Sequence, residues 1–181
     1  MARRGKLTIP QRVGDPAEIN YGGPAGPDFA PLARDRTPVR TMTDRDLAAM
    51  IAIDRRITGR DRSAYFERKL AEALHESDVR VSLVAERDGR PAGFIMARVD
   101  FGEFGRLEPT AVMDTVGVDP DARGEGIGRA LLSQLLVNLT TLRVERIRTE
   151  IDWRDHELLA FLGSCGFRPS QQLCFEYAVK A

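Results

Sequence analysis

Three glycines at alternate positions lie where an apolar, β-rich segment gives way to a helical pattern. The segment Val118–Leu132 places Gly124, Gly126 and Gly128 between these two patterns. Because glycine has no Cβ, the backbone of such a loop can approach a ligand closely and direct its N–H groups at it. The helix that follows adds N–H groups without intrahelical partners and the positive end of its dipole. This strand–loop–helix segment therefore predicts a crossover unit with a phosphate or diphosphate site.

The known glycine-rich motifs differ in the residues around their glycines. A P-loop requires Lys and then Ser or Thr after its last glycine, whereas Arg129 follows Gly128 here. The Rossmann fingerprint fails as well, since Arg129 occupies its third glycine position. The pattern Arg-x-x-Gly-x-Gly, met by Arg123, Gly126 and Gly128, resembles the acyl-CoA loop of the GNAT acetyltransferase superfamily. A turn that binds no ligand is the remaining alternative, although three glycines would weaken the start of a helix for no packing gain.

Length and composition indicate one small globular domain with an appendage. The chain has 181 residues and 27 basic against 27 acidic side chains, so its net charge gives it no general affinity for nucleic acid. No apolar run is long enough for a membrane-spanning helix, and the N-terminus lacks a signal-peptide core. Cys165 and Cys174 are too few for a disulfide framework and have no metal-type spacing. We therefore expect a cytoplasmic protein without a metal site and without nucleic-acid or membrane partners.

The first 38 residues differ from the rest of the chain. They contain six of the ten prolines, five glycines and no apolar periodicity. Such a composition is typical of a flexible or loosely packed segment, and an arm that wraps a partner subunit or covers a substrate site is the alternative. We predict a Pro/Gly-rich N-terminal arm over residues 1–38 and a GNAT-like acetyltransferase domain over residues 39–181.

Regular periodicity begins near residue 39 and predicts the element order β-α-α-β-β-β-α-β-α-β. Thr43–Asp46 has the pattern of a capping box that starts the first helix, and Asp88–Gly89 is a strong hairpin signal. An antiparallel half built from hairpins thus leads into a parallel β-loop-α-β crossover, which gives a mixed α/β sheet flanked by helices. The predicted strands are Val39–Thr41, Val79–Glu86, Ala92–Val99, Thr110–Val118, Arg146–Asp152 and Leu173–Val179, and the later helices are 126–142 and 155–164.

The same element order is that of the GNAT superfamily, so the resemblance covers about residues 38–180. The late segment Phe161–Phe167, which ends in Gly-Phe, is also similar to that family. The resemblance implies an α+β fold in which the central parallel strands, here Thr110–Val118 and Arg146–Asp152, splay apart over a cleft for acetyl-CoA. It implies a cofactor site formed by Val116, Gly117, Val118, Arg123, Gly124, Gly126, Ile127, Gly128, Arg129 and Asp155.

The resemblance further implies an N-acetyltransferase that moves an acetyl group from acetyl-CoA to a primary amine, on a protein N-terminus, a lysine or a small molecule. The amine must lose a proton before it attacks, and carboxylates near the cleft are the candidate bases. Asp114 is the first candidate because strict alternation puts it on one face of its strand with Val116 and Val118. Glu150 on the next strand is the second candidate catalytic residue.

The general acid is the position where the sequence departs from the family. Most members have a tyrosine four residues before the glycine of Gly-Phe, and Leu162 occupies that position here. This departure keeps a second function open, which is a non-catalytic acyl-CoA sensor or interaction module with the same cosubstrate. Members of the family often pair through their C-terminal strands, so the resemblance also raises a homodimer.

Overall fold

The computed structural model describes residues 37–76, 79, 81–100, 109–172 and 175–178. All but the last two residues of the predicted N-terminal arm lie outside the described residues, so the division between 38 and 39 stays a prediction. The helices are α1 (Leu47–Thr58), α2 (Ser63–Ala71), α3 (Ile127–Thr141) and α4 (His156–Ser164). The strands are β1 (Val39–Thr41), β2 (Leu83–Arg87), β3 (Arg90–Asp100), β4 (Thr110–Val118) and β5 (Arg146–Arg148).

The strands form one mixed sheet in the order β1-β2-β3-β4-β5. The first three pairings are antiparallel and the β4–β5 pairing is parallel, as the predicted crossover requires. The hairpin between β2 and β3 turns at Asp88 and Gly89, which both have positive φ, 52° and 71°. This conformation is the one that Asp-Gly favours in a two-residue hairpin loop. The predicted mixed α/β sheet flanked by helices is confirmed.

One face of the sheet packs against α3. The apolar residues of α3 recur at helical spacing, and Ile127, Leu131 and Leu135 are each at most 3% exposed. They share one buried cluster with Ile95 of β3 and Met113 of β4. Because α3 follows β4 after a short connection, this packing holds the N-terminus of α3 beside the end of β4.

The opposite face of the sheet packs against α1 and α2. Met50 and Phe66 are fully buried there and belong to a second cluster with Phe94 of β3. The rings of Phe66 and Phe94 meet edge to face, with centroids 5.6 Å apart, a favoured aromatic geometry. Helix α1 ends at Gly59, whose left-handed conformation lets its N–H donate to the carbonyl of Arg55 at 2.8 Å.

The pairing of β4 with β5 is short, and this opens one edge of the sheet. It runs only from Thr110 opposite Arg146 to Val112 opposite Arg148. There the hydroxyl of Thr149 donates to the carbonyl of Met113 at 2.9 Å. Beyond Val112, a side-chain hydrogen bond thus takes the place of a further backbone hydrogen bond between the two strands.

Three predicted strands are wrong in part. The strand predicted over 79–86 begins at Leu83, since residues 79, 81 and 82 are not in a strand. The strand predicted over 146–152 ends at Arg148, and residues 149–152 leave the sheet. The strand predicted over 173–179 is absent where the structure describes it, since 175–178 have no regular structure and the side chains of Phe175 and Tyr177 are exposed. The other positions of that predicted strand lie outside the described residues.

Candidate active site

A cavity of about 640 Å³ lies between the end of β4, the start of α3 and the helix α4. Its wall combines glycine positions, where the backbone is uncovered, with apolar and charged side chains. The ten residues that the sequence predicts as cofactor-binding all line this one cavity. They are Val116, Gly117, Val118, Arg123, Gly124, Gly126, Ile127, Gly128, Arg129 and Asp155.

The glycine loop turns the backbone toward this cavity. Gly124 and Gly126 have φ of 81° and 85°, a region that side chains with a Cβ rarely adopt. Gly126 is the N-cap of α3, and the first intrahelical bond runs from the N–H of Ala130 to its carbonyl at 2.9 Å. The amides of Ile127 and Gly128 precede that bond and have no carbonyl within the helix to bind. The first turn of α3 carries no acidic residue, so the loop is suited to an anion.

Gly128 faces the cavity through a close contact with α4. A Cβ built at Gly128 would lie 3.2 Å from the ring of Phe161 and 3.7 Å from a methyl group of Val118. A larger residue at this position would force the Phe161 ring away from α3. The glycine therefore favours the close approach of the two helices, and it leaves the backbone uncovered at this point of the wall.

The free edge of β4 supplies a second set of backbone groups. The N–H of Asp119 donates to the carbonyl of Ala92 in β3 at 2.9 Å. Because backbone groups alternate along a strand, Gly117 also directs its N–H and C=O at β3. Val116 and Val118 direct theirs at the other edge, which β5 no longer covers. This edge can accept an extended ligand as an added strand would bind.

Ion pairs hold the loop in place on both sides. Arg56 of α1 contacts Asp119 at 2.5 Å and Asp121 at 2.8 Å, and the hydrogen bond to Asp121 raises the pKa of Arg56. On the other side Arg123 contacts Glu157 of α4 at 3.0 Å. These pairs are exposed and add little stability, but they tie the loop to α1 and α4.

Two of the predicted binding residues have structural roles as well. The carboxylate of Asp155 is the N-cap of α4 and accepts a hydrogen bond from the N–H of Leu158 at 3.0 Å. The guanidinium of Arg129 donates to the hydroxyl of Ser164 at 3.3 Å, near the other end of α4. Both contacts connect the glycine loop region to α4 across the cavity.

The strict alternation predicted for Asp114 is wrong. The register between β3 and β4 shifts at this point, since Met96 lies opposite Thr115 and Ala97 lies opposite Met113. Asp114 is thus the extra residue of a β-bulge, a feature that re-aims a side chain. Its carboxylate forms an ion pair with Arg98, on the face covered by α1 and α2. Asp114 therefore does not share a face with Val116, and it lies outside the cavity wall.

Glu150, the second candidate, is exposed and also lies outside the cavity wall. It follows β5 at the point where the two parallel strands separate. Its neighbour Asp152 accepts hydrogen bonds from Arg154, and these lower the pKa of Asp152 to about 2. Asp152 is therefore ionised at every physiological pH, as a carboxylate paired with an arginine is expected to be.

Comparison with known proteins gives the family. The model of the acetyltransferase (GNAT) family matches residues 47–167, which is more than half of the chain. The chain belongs to the GNAT acetyltransferase family. The matched range runs from the start of α1 to just beyond α4 and contains the whole cavity. The predicted family is confirmed, and with it acyltransferase as the enzyme class.

Curated relatives of this GNAT chain include two mycothiol acetyltransferases. The protein of Thermobispora bispora is 32% identical over 84 residues, which are 46% of this chain and 28% of that protein. The protein of Propionibacterium freudenreichii subsp. shermanii is 31% identical over 87 residues, 42% of this chain and 28% of that protein. The chain thus matches little more than a quarter of the length of these relatives.

Solved GNAT structures share the fold over most of the chain. A transcriptional regulator from Bacillus halodurans superposes with a TM-score of 0.66 at 18% identity, covering 78% of this chain and 99% of that one. An aminoglycoside N-acetyltransferase in complex with CoA gives a TM-score of 0.66 at 17% identity, with 78% and 94% covered. An aminoglycoside acetyltransferase from an uncultured soil sample, in complex with sisomicin, gives 0.63 at 18% identity, with 81% and 98% covered.

Sequence reasoning did not select five residues that line the cavity of this GNAT domain. Four of them, Ala122, Glu157, Leu158 and Phe161, lie near the predicted residues in the chain, and the helical spacing of α4 from Asp155 is a signal that includes the last two. Ile57 comes from α1, far away in sequence, and only the packing of α1 on the sheet brings it to β4. The cavity-lining residues beyond the predicted ten are Ile57, Ala122, Glu157, Leu158 and Phe161.

Leu162 occupies the position where most members of the family have a tyrosine as the general acid. Leu162 is 4% exposed and packs in the core cluster beneath α4, so no hydroxyl reaches the cavity from there. A tyrosine does lie nearby, on α2. The hydroxyl oxygen of Tyr65 is 3.3 Å from the hydroxyl oxygen of Thr115 on β4. Thr115 is adjacent to Val116, so this pair lies one residue from the cavity wall.

In the described ranges no group of three or more His, Cys, Asp or Glu side chains is arranged to hold a metal ion. Among the helices of the described part, none is long and apolar enough to cross a membrane.

Proposed function

We propose that this GNAT domain moves an acetyl group from acetyl-CoA to a primary amine. The observation that carries the proposal is a cavity of about 640 Å³ whose wall includes all ten predicted cofactor-binding residues. A volume of this size is typical of small-molecule sites. The glycine loop and the free edge of β4 in its wall match two parts of CoA, the anionic diphosphate and the extended, amide-containing pantetheine arm.

The glycine loop fits the diphosphate of CoA. The amides of Ile127 and Gly128 at the start of α3 are donors without intrahelical acceptors, and the helix dipole favours an anion there. Arg123 adds a positive charge at the rim of the same cavity. Because the main chain supplies most of this site, bulky substitutions at the glycines should damage binding more than the loss of one arginine charge.

The open edge of β4 fits the pantetheine arm. Val116 and Val118 present backbone donors and acceptors along an edge that β5 leaves uncovered. The amide groups of the arm are able to bind there as a strand would. This arrangement puts the diphosphate at the α3 end of the cavity and the thioester toward Val116.

Acetyl-CoA supplies the activated acetyl group, and the protein has to bind the amine, remove its proton and donate a hydrogen bond to the carbonyl oxygen. We propose as that donor a backbone N–H near Val118 on the free edge of β4, where Val116 lies at the thioester end. Asp114 is kept as the proposed base because it directly precedes the free edge of β4, where its carboxylate forms an ion pair with Arg98. Glu150 is the second proposed base, since it lies where β5 separates from β4. Solvent is able to protonate the departing thiolate, so Leu162 does not prevent transfer.

The acceptor class is argued from the names of the relatives. The curated relatives are named mycothiol acetyltransferases and one structural neighbour is an aminoglycoside acetyltransferase, and these names favour a small-molecule acceptor. We therefore propose a small amine as the first acceptor to test and a protein N-terminus or lysine as the second. A cytoplasmic location and a homodimer stay predictions.

A non-catalytic acyl-CoA sensor is the competing function. Two observations favour it: Leu162 is buried at the usual acid position, and the carboxylate of Asp114 is engaged by Arg98. A sensor would bind CoA in the same cavity and transfer nothing to any amine.

Calorimetry followed by turnover assays tests both functions. We expect the purified full chain to bind CoA, and a Gly126→Trp variant to lose most of that affinity because residues with a Cβ are strained in the conformation at φ 85° that the loop requires. Transfer from acetyl-CoA to members of an amine and peptide panel would support the enzyme. Binding without transfer to any acceptor would support the sensor. Absence of binding, with Gly126→Trp indistinguishable from the parent, would overturn both.

A further inference from the structure

One side chain of α1, that of Ile57, forms part of the cavity wall. Ile57 is the only residue of α1 in the described cavity wall, and it is 38% exposed although it is a large apolar residue. Its Cδ1 lies 3.4 Å from the position that a Cβ of Gly117 would occupy. Ile57 therefore stands directly against the backbone of β4, next to Val116.

The wall behind this contact is rigid. A Cβ at Gly117 would also lie 2.8 Å from the ring of Phe94, which is 1% exposed and packed against Phe66. A close-packed core of this kind does not give way to a ligand. Any group that extends past the β4 edge toward α1 therefore meets Ile57 first.

The residue before Ile57 also contacts the segment that leads into the glycine loop. Arg56 contacts Asp119 and Asp121 at 2.5 Å and 2.8 Å, so the last turn of α1 is tied to the start of the glycine loop. Gly59 ends the helix directly afterwards with a hydrogen bond to the carbonyl of Arg55. The side chain of Ile57 thus belongs to the last turn of α1, which these contacts connect to the glycine loop.

We infer that Ile57 sets the length of the acyl group that the cavity accepts. The inference rests on the proposed function, because the acetyl-CoA orientation places the diphosphate at α3 and leaves the acyl carbon near Val116 and Gly117. An acetyl group ends before Ile57, whereas the two additional methylenes of a butyryl group extend into it. Ile57 is a specificity-determining residue in this account, and it takes no part in proton transfer.

Replacement of Ile57 tests the inference through binding, which needs no known acceptor. The readout is the ratio of the dissociation constants of butyryl-CoA and acetyl-CoA, measured by calorimetry on the full chain. Ile57→Ala should shift this ratio toward butyryl-CoA by about tenfold or more, the scale on which apolar pockets discriminate methylene groups. Ile57→Val, which removes one methyl group, should give a smaller shift in the same direction and serves if the alanine variant fails to fold.

Ile51→Ala is the matched control, since it makes the same change on the same helix. Ile51 packs against the cluster of α1 and α2 and does not line the cavity. Its replacement should leave the ratio unchanged. A wild-type protein that binds acetyl-CoA, with a ratio that neither Ile57 variant shifts, would overturn the inference and leave the proposed function intact. A wild-type protein that binds no CoA at all would overturn both.

Discussion

The carboxylate of Asp114 forms an ion pair with the guanidinium of Arg98 across the β3–β4 ladder. Arg98 lies opposite Val112, and the β-bulge places Asp114 on the same side of the sheet. The hydrogen bond to Asp114 raises the pKa of Arg98, with burial acting in the opposite direction. The guanidinium of Arg98 therefore stays charged at neutral pH, beside the free edge of β4.

Asp114→Asn should lower kcat/KM for acetyl transfer by about 100-fold or more, the usual contribution of a general base. The affinity for CoA should stay unchanged, because Asp114 lies outside the cavity wall. The measurement is a pH profile of kcat/KM together with calorimetry of CoA binding.

Asp100→Asn controls for disturbance of Arg98, since Asp100 contacts the same guanidinium at 3.3 Å. It should retain most of the activity. If Asp114→Asn is active and Glu150→Gln is not, the base is Glu150. If neither variant loses activity, neither carboxylate is the base.

Gly126→Val should abolish most CoA binding, whereas Gly89→Val should not affect it. The two glycines have similar left-handed conformations, with φ of 85° and 71°, and neither has an atom within 4 Å of a built Cβ. Both substitutions should therefore destabilise the fold by a similar amount, about 1–2 kcal/mol. Only Gly126 lies in the cavity wall. Urea unfolding and calorimetry would show whether the loss of affinity exceeds the loss of stability, and equal affinities in both variants would contradict a phosphate site in the loop.

The glycine loop was predictable because its signals are local. The helix cap, the three glycines and the first apolar residues of α3 all lie within Val118–Leu132. The strand Thr110–Val118 has the predicted bounds. The capping box of Thr43 and Asp46 and the Asp-Gly hairpin are also confirmed, for the same reason.

The parts that sequence did not predict depend on contacts between distant segments. The bulge at Asp114 depends on the register with β3, which alternation within one strand cannot reveal. The early end of β5 depends on the Thr149 side chain and the Met113 carbonyl of another strand. Ile57 reaches the cavity only through the packing of α1 on the sheet. These three features decide which carboxylates and which walls surround the open edge of β4.

Glu157→Gln should raise the affinity for CoA at low salt. Glu157 lines the cavity, and its carboxylate contacts the guanidinium of Arg123 at 3.0 Å. The carboxylate therefore repels an anionic ligand, and it also competes with that ligand for the positive charge of Arg123. An exposed pair contributes about 0.2–1 kcal/mol, which corresponds to at most about a fivefold change in affinity. Calorimetry at low and high salt should show the gain shrink as salt screens the charges.

Glu125→Gln is the control for this charge change, because Glu125 contacts Arg87 at 2.9 Å and does not line the cavity. The same gain in both variants would indicate a general effect of net charge. A loss of affinity in Glu157→Gln would show that the carboxylate holds Arg123 in its binding position.

The ionised carboxylate of Asp46 should stabilise the fold at neutral pH, and this contribution should be lost at acidic pH. Its side chain is 3% exposed and accepts hydrogen bonds from Arg40 at 2.7 Å and 2.8 Å and from the N–H of Thr43 at 2.8 Å. Burial alone would raise the pKa of Asp46, but the hydrogen bonds from Arg40 and Thr43 outweigh it and keep the pKa below its ordinary value. Because the pKa is lower in the folded state, the stabilisation is complete above the unfolded pKa of about 3.9 and disappears as pH falls through the folded value.

Asp46→Asn should therefore reduce the free energy of unfolding at pH 7 by about 1–3 kcal/mol, since it leaves buried hydrogen-bonding groups poorly paired. The difference from the wild type should shrink as pH falls below about 4, where the wild-type carboxylate also becomes protonated. Urea unfolding at a series of pH values measures both quantities. Asp88→Asn, which removes a carboxylate that is 90% exposed at the hairpin turn, should show neither effect. A difference between Asp46→Asn and the wild type that is independent of pH would assign the loss to packing and not to the charge on Asp46.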